Sequence, residues 1–159
     1  MATYELGRTQ IITASLEKTW EFFSSPENLD KLTPANMGFD ILTPRPLPKM
    51  YEGQIIEYKV RPVLGIPLYW KTEITEVRPM KFFIDNQIKG PYNLWRHKHT
   101  FEEHRDGVRM QDHVTYSLPM GILGSIVHKI YVQKRLEDIF DYRFKVVDQI
   151  FNQKIGVSS

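Results

Sequence analysis

Between Phe39 and Tyr116 apolar and polar residues alternate at nearly every second position, the period of strands with one buried face. Short turns bearing Gly or Pro cut this pattern into Phe39–Leu42, Gln54–Arg61, Leu68–Val77, Phe82–Lys89, Leu94–Glu102 and Val108–Leu118. The turns are Glu52-Gly53, Leu64-Gly65-Ile66-Pro67, Gly90-Pro91 and Asp106-Gly107, too short for crossover helices, so the pairing is predicted antiparallel. A further strand precedes them at Tyr4–Thr13. Ser15 then caps a short helix whose Leu16, Trp20 and Phe23 share one face. Ser25-Pro26 starts a second helical turn, with Ser25 as cap, buried through Leu29 and Leu32 and ended by Thr33-Pro34. Pro44, Pro46 and Pro48 mark an ordered surface loop.

From Ile122 to Asn152 the period changes to that of a helix. Ile126, Ile130, Leu136, Phe140, Val147 and Phe151 form its apolar face, which slips once near Gln133-Lys134. Some 30 residues at about 1.5 Å each make a rod of roughly 45 Å, longer than a small sheet covers unless the sheet bends around it. The expected architecture is α+β: a curved antiparallel sheet, two short helices after the first strand, and a long C-terminal helix. A cavity is expected between sheet and helix.

Composition agrees. The 159 residues, 42% hydrophobic and 25% charged, suit one globular domain, expected over 1–155 with a frayed tail at 156–159. Lys and Arg number 21 against 19 Asp and Glu, a formal charge of +2, too small to argue for nucleic acid. Cysteine is absent, which excludes disulfides, thiol chemistry and thiolate-held metals. There is no apolar run long enough for a transmembrane helix and no signal-peptide core near the N-terminus, so the expected location is cytoplasmic.

Candidate chemistry gathers on Leu94–Glu102. Trp95, His97, His99 and Phe101 share one face, while Arg96, Lys98 and Glu102 share the other. A turn at Arg105-Asp106 or Asp106-Gly107 brings Met110, Asp112, Val114 and Tyr116 to the histidine face. The first turn sets His99 directly opposite Asp112 and the second makes them diagonal. Asp112 is therefore expected to orient His99 and favour its charged form. The preceding strand reads two ways. Hydrophobicity and a four-residue turn at 90–93 turn Phe82, Ile84 and Ile88 inward; a turn one residue different turns Asp85 and Gln87 inward instead.

Three readings of His97-x-His99 compete: hydrogen-bonded core histidines, polar anchors in a ligand pocket, and a metal site with Asp112 as third ligand. Trp70, Thr72 and Ile74 form a stripe that is core or pocket wall. Arg96, Lys98, His104 and Arg105 read as a solvated sheet face rather than an RNA site, His113 as exposed, and Tyr142-Arg143 as a surface pair.

Several stretches together resemble the START-like (SRPBCC) superfamily, which includes birch-pollen-allergen-like and polyketide cyclase/dehydrase-like proteins. They are Ser25-Pro26-Glu27-Asn28-Leu29, Pro79 to Gln87, Gly90-Pro91-Tyr92, Trp95-x-His97-x-His99-x-Phe101, Asp112-x-Val114-x-Tyr116-x-Leu118-Pro119 and Leu136-x-x-Ile139-Phe140-x-Tyr142-Arg143. The likeness is strongest to a bacterial cyclase/dehydrase-like branch. It implies a helix-grip fold, a seven-stranded antiparallel sheet around a C-terminal helix, with a cavity for lipids, polyketides, isoprenoids or other hydrophobic molecules. It also implies that Asp85 and Gln87 face the cavity.

The expected function is binding of a small hydrophobic molecule. Its site would comprise Trp70, Asp85, Gln87, Trp95, His97, His99, Phe101, Asp112 and Tyr116. The alternative is a cyclase, dehydratase or isomerase in which His99 with Asp112 is general base and His97 or Gln87 polarises a carbonyl. No metal or other cofactor, no nucleic acid and no stable membrane insertion are expected, and the chain is expected to be a monomer or weak homodimer.

Overall fold

The structure is a computed structural model that describes residues 2–63, 65–119 and 125–153. Leu64, the predicted helix start at Ile122 and the predicted tail at 156–159 lie outside the described residues. Among the described residues seven strands form one sheet: β1 (Tyr4–Ile12), β2 (Asp40–Ile41), β3 (Ile55–Val63), β4 (Ile66–Arg78), β5 (Phe82–Lys89), β6 (Leu94–His104) and β7 (Gly107–Ser117). Their spatial order is β1-β7-β6-β5-β4-β3-β2, every pair antiparallel. The connections from β3 to β7 are the tight ones expected. Between β1 and β2, which lie at opposite edges of the sheet, the chain has to cross its full width.

That journey is made by α1 (Leu16–Phe23) and two 3-10 turns, Pro26–Leu29 and Ala35–Met37. Ser15 caps α1 by accepting from the Lys18 amide at 3.2 Å. Ser25 does not act as the predicted cap. Its hydroxyl donates back to the Glu21 carbonyl at 2.6 Å and accepts from Lys49 Nζ at 2.6 Å, which ties the end of α1 to the proline loop. Gly107 has a reason to be glycine. Its φ is +136°, and a Cβ there would stand 2.1 Å from the Ile12 carbonyl oxygen, so the β6–β7 turn closes against β1 only without a side chain.

The long helix α2 (Ser125–Phe151) crosses the concave face. Asn152 fastens its end to β1, donating to the Ile11 carbonyl at 2.9 Å and accepting from the Thr13 amide at 2.7 Å. Leu136, Phe140 and Val147 are buried as predicted, whereas Ile130 is 61% exposed. Val132 takes its place against the sheet. The face through 132, 136, 140, 143, 147 and 151 advances by three or four residues throughout, so the apparent slip disappears. Position 143 on that face is an arginine, not the surface residue expected.

The interior holds two packed groups. One, around Phe23, Phe83, Phe101, Met110 and Val147, lies under α1. The other, around Trp70, Trp95, Val114, Tyr116, Leu136 and Phe140, lies under the first half of α2.

Candidate functional site

Strand pairing builds the site. In β6 and β7, Trp95 stands opposite Tyr116, His97 opposite Val114, and His99 opposite Asp112, the direct pairing. In β5, Asp85 stands opposite His97 and Phe83 opposite His99. This is the parity that a four-residue turn at 90–93 forbids, so the hydrophobic phasing of β5 is overturned. Its physical reason is at the turn, where regular β5–β6 pairing stops at Asn86 and Arg96. Gln87 then folds its amide onto the backbone of Tyr92, donating to the carbonyl at 2.6 Å and accepting from the amide at 3.2 Å. Gly90 leaves room for this, since a Cβ there would meet Gln87 Oε1 at 2.4 Å. Gln87 is a brace of the turn.

Two imidazoles stack at the centre, His97 on His99 with ring centroids 3.7 Å apart, and Phe83 covers the other face of His99 at 4.1 Å. Carboxylates close both edges of the stack. On one edge His97 Nε2 lies 2.8 Å and His99 Nδ1 3.1 Å from Asp112 Oδ1. On the other, His99 Nε2 lies 2.9 Å and His97 Nδ1 3.8 Å from Asp85 Oδ2. Arg143 reaches in from α2, its Nη2 3.5 Å from Asp112 Oδ1 and 3.4 Å from His99 Nδ1. Its guanidinium also lies 5.6 Å from the centroid of Phe23.

Burial alone would make the two carboxyls and the two imidazoles shed charge; their partners reverse this for all but His97. Desolvation pushes the Asp112 carboxyl up, but the Arg143 charge and the bonds from both histidines hold it well below the usual carboxylate range. Desolvation likewise opposes ionised Asp85, which the His99 hydrogen bond and the charges of His97, His99 and Arg143 keep low. Burial lowers His99, and hydrogen bonds to Asp112 and Asp85 outweigh it and raise it. Burial and then the neighbouring His99 charge lower His97, more than Asp112 restores. The knot therefore favours Asp85 and Asp112 as carboxylates, His99 as the charged ring and His97 as the neutral one. Both ring nitrogens of His99, the expected general base, face carboxylate oxygens.

The knot forms one wall of a cavity of about 450 Å³ between sheet and α2, inside the range of small-molecule pockets. Asp85, His97, His99 and Arg143 reach it, and so do Trp70, Trp95, Tyr58, Tyr92, Leu136 and Phe140. Four residues expected at the ligand stand elsewhere. Gln87 braces its turn, Asp112 lies behind the histidines, Phe101 packs between Trp20, Phe23 and Phe83, and Tyr116 packs against Tyr4 and Tyr92. Thr72 and Ile74 line the cavity with Trp70, so that stripe is wall. Trp70 Nε1 is buried and has no hydrogen-bond partner among the described residues. Arg143 could have been found from sequence: it lies three after Phe140 and four before Val147, on the buried stripe.

No protein-family model matches the sequence, and no curated protein is similar to it. Solved structures do match. Protein Ms6760 of Mycobacterium smegmatis superimposes with a TM-score of 0.66 at 17% identity, over 92% of this chain and 89% of that one. Protein TTHA0849 of Thermus thermophilus gives 0.67 at 17% identity, over 93% and 95%. Major latex-like protein 151 of Panax ginseng gives 0.66 at 12% identity, over 94% and 97%. The chain has the helix-grip fold. At these identities the likeness is one of architecture, as the sequence resemblance implied. No helix among the described residues of this helix-grip domain is long and apolar enough to cross a membrane.

Proposed function

We propose that this helix-grip domain binds a small, mostly apolar molecule bearing polar groups, of lipid, polyketide or isoprenoid kind. The observation that carries this reading is the cavity of about 450 Å³, apolar over most of its wall and polar at one patch. Trp70, Trp95, Tyr58 and Leu136 supply contact area; Asp85, His97, His99 and Arg143 supply orientation. Trp70 Nε1 is a buried donor without a partner among the described residues. Such a donor costs about 1–3 kcal/mol, and a guest whose carbonyl or ether oxygen meets the indole as the ring adjusts would relieve that cost.

A second reading is an enzyme of cyclase, dehydratase or isomerase type. The observation in its favour is His97, an imidazole in the cavity wall with Nδ1 on the Asp85 side, which burial pushes toward its neutral form. In that reading His97 takes the role of base and the cationic His99 polarises a carbonyl. Thermal shift and native mass spectrometry with a panel of fatty acids, aromatic polyketides and isoprenoid alcohols or ketones test both. Stabilisation with a guest of unchanged mass supports binding, and a changed mass supports turnover. A panel in which no member is retained or stabilises the protein refutes both.

A further inference from the structure

The two edges of the imidazole stack are built differently. Asp112 receives one nitrogen from each histidine, His97 Nε2 and His99 Nδ1, and is itself backed by Arg143. The remaining nitrogens, His97 Nδ1 and His99 Nε2, converge on a single oxygen of Asp85. One donor atom from each of Asp85, His97 and His99 lies within 4.8 Å of the other two, and all three residues line the cavity. The geometry points to a site for one divalent first-row transition-metal ion, held by Asp85, His97 Nδ1 and His99 Nε2, with its remaining positions open to the cavity.

Three features support it. The first is spacing. Metal bonds of about 2.1 Å need donors roughly 3.0–3.4 Å apart in octahedral or tetrahedral geometry, and the two separations at Asp85 Oδ2, 2.9 and 3.8 Å, bracket that. The second is support behind the ligands. A metal-bound histidine gives its other ring N–H to a carboxylate or carbonyl, which fixes the tautomer. Asp112 does this for both rings at once. The third is an unmet contact. His97 Nδ1 stands 3.8 Å from Asp85 Oδ2, beyond hydrogen-bonding distance, a gap between two ligand atoms that a cation would fill. The ion replaces the proton shared between His99 Nε2 and Asp85. Two imidazoles, one carboxylate and no thiolate select zinc, iron(II) or cobalt(II) over softer or harder ions. No metal is expected from sequence; in the metal reading of His97-x-His99 the third ligand is Asp112, whereas here Asp85 takes that place and Asp112 becomes a positioning residue.

The test uses full-length, tag-free protein stripped with chelator and titrated with zinc, then with cobalt(II) as a spectroscopic probe. The expected result is one ion per chain, visible cobalt bands, and X-ray absorption of the zinc form showing two imidazoles and oxygen. Asp112→Asn weakens zinc binding about 10- to 100-fold with the stoichiometry kept, Asp85→Ala weakens it further, and His104→Asn and His113→Asn leave it unchanged. Absence of a stoichiometric ion, a single imidazole in the absorption spectrum, or affinity that survives Asp85→Ala overturns the site. The spectroscopy on the unmutated protein decides the matter if Asp85→Ala does not fold. Guest uptake measured on the metal-free protein reads the cavity separately, so either idea can fail alone.

Discussion

One face of β6 passes through two interiors of similar chemistry and opposite packing. At one end Phe101 sits 5.4 Å from Trp20 and 5.6 Å from Phe23, centroid to centroid, and Phe22, Phe23 and Phe151 interlock nearby. At the other end Trp95 sits 4.9 Å from Tyr92 and 5.2 Å from Trp70, and these rings line a void. What differs is the cover. A helix, α1, and the last turn of α2 press rings into the Phe101 end, whereas turns and 3-10 segments contribute much of the wall around the hollow. Aromatic content therefore does not decide whether an interior is full; the element laid over it does. The largest expected effect separates the two. Phe101→Ala, which leaves a cavity in a filled region, costs about 3–5 kcal/mol in denaturant unfolding. Trp95→Ala costs less, because its neighbours already face space, but abolishes guest uptake. Equal losses at both ends, with uptake intact in Trp95→Ala, would break the comparison.

Between the two ends lies the charged knot, and its removal is the next largest effect. Arg143→Met takes the guanidinium from buried Asp112, leaving only the imidazoles against it, and costs about 3 kcal/mol, as broken buried pairs do. Arg8→Ala, whose partner Asp141 is exposed at 3.8 Å, costs about 1 kcal/mol or less. Chemical denaturation of the two variants side by side checks the contrast. Similar losses would mean that Arg143 acts as a surface residue after all.

The fold was legible because strand and helix periods, turn residues and helix caps agree with one another along nearly the whole chain. The site was legible where a short turn fixes parity. Either β6–β7 turn put His99 and Asp112 on one face, opposite or diagonal, and the pairing is the direct one. It was illegible where a side chain modifies the turn. Gln87 standing in for a strand partner shifts β5 by one residue, and Phe82, Ile84 and Ile88 then mislead because Ile84 is buried on the alternate face. Arg143 escaped because its charge outweighed its position on the helical stripe. The unpaired Trp70 indole lies beyond any pattern, since it depends on every neighbour at once.

Acid offers a smaller effect confined to the knot. The carboxyls of Asp85 and Asp112 are held below their unfolded values near about 4. Their contribution is complete above about pH 4 and is lost as pH falls through the folded values, because unfolding then takes up protons. His97, held low, loses its contribution as pH drops past about 6.5, while His99, held high, loses its own as pH rises through its raised value. These two oppose each other near neutrality, so the acid limb belongs to the carboxylates. Stability measured against pH on metal-free protein loses most of that limb in Asp112→Asn and keeps it in Phe101→Ala. A limb of unchanged steepness in Asp112→Asn would place the acid response elsewhere.

The smallest expected change in stability sharpens the comparison most. Trp70→Phe keeps a ring in the hollow wall but deletes a donor that pairs with nothing among the described residues. The substitution therefore costs about 1 kcal/mol or less in stability. Its effect on guests depends on the guest. A ketone or ether loses the hydrogen bond to Nε1, worth about 1 kcal/mol or roughly fivefold in affinity. The hydrocarbon of the same skeleton loses nothing beyond the small change in shape. Titration of both guests into both proteins yields a coupling between indole and acceptor. A coupling near zero would mean that the guest's oxygen never meets Trp70, and that the hollow end differs from the packed end only in being empty.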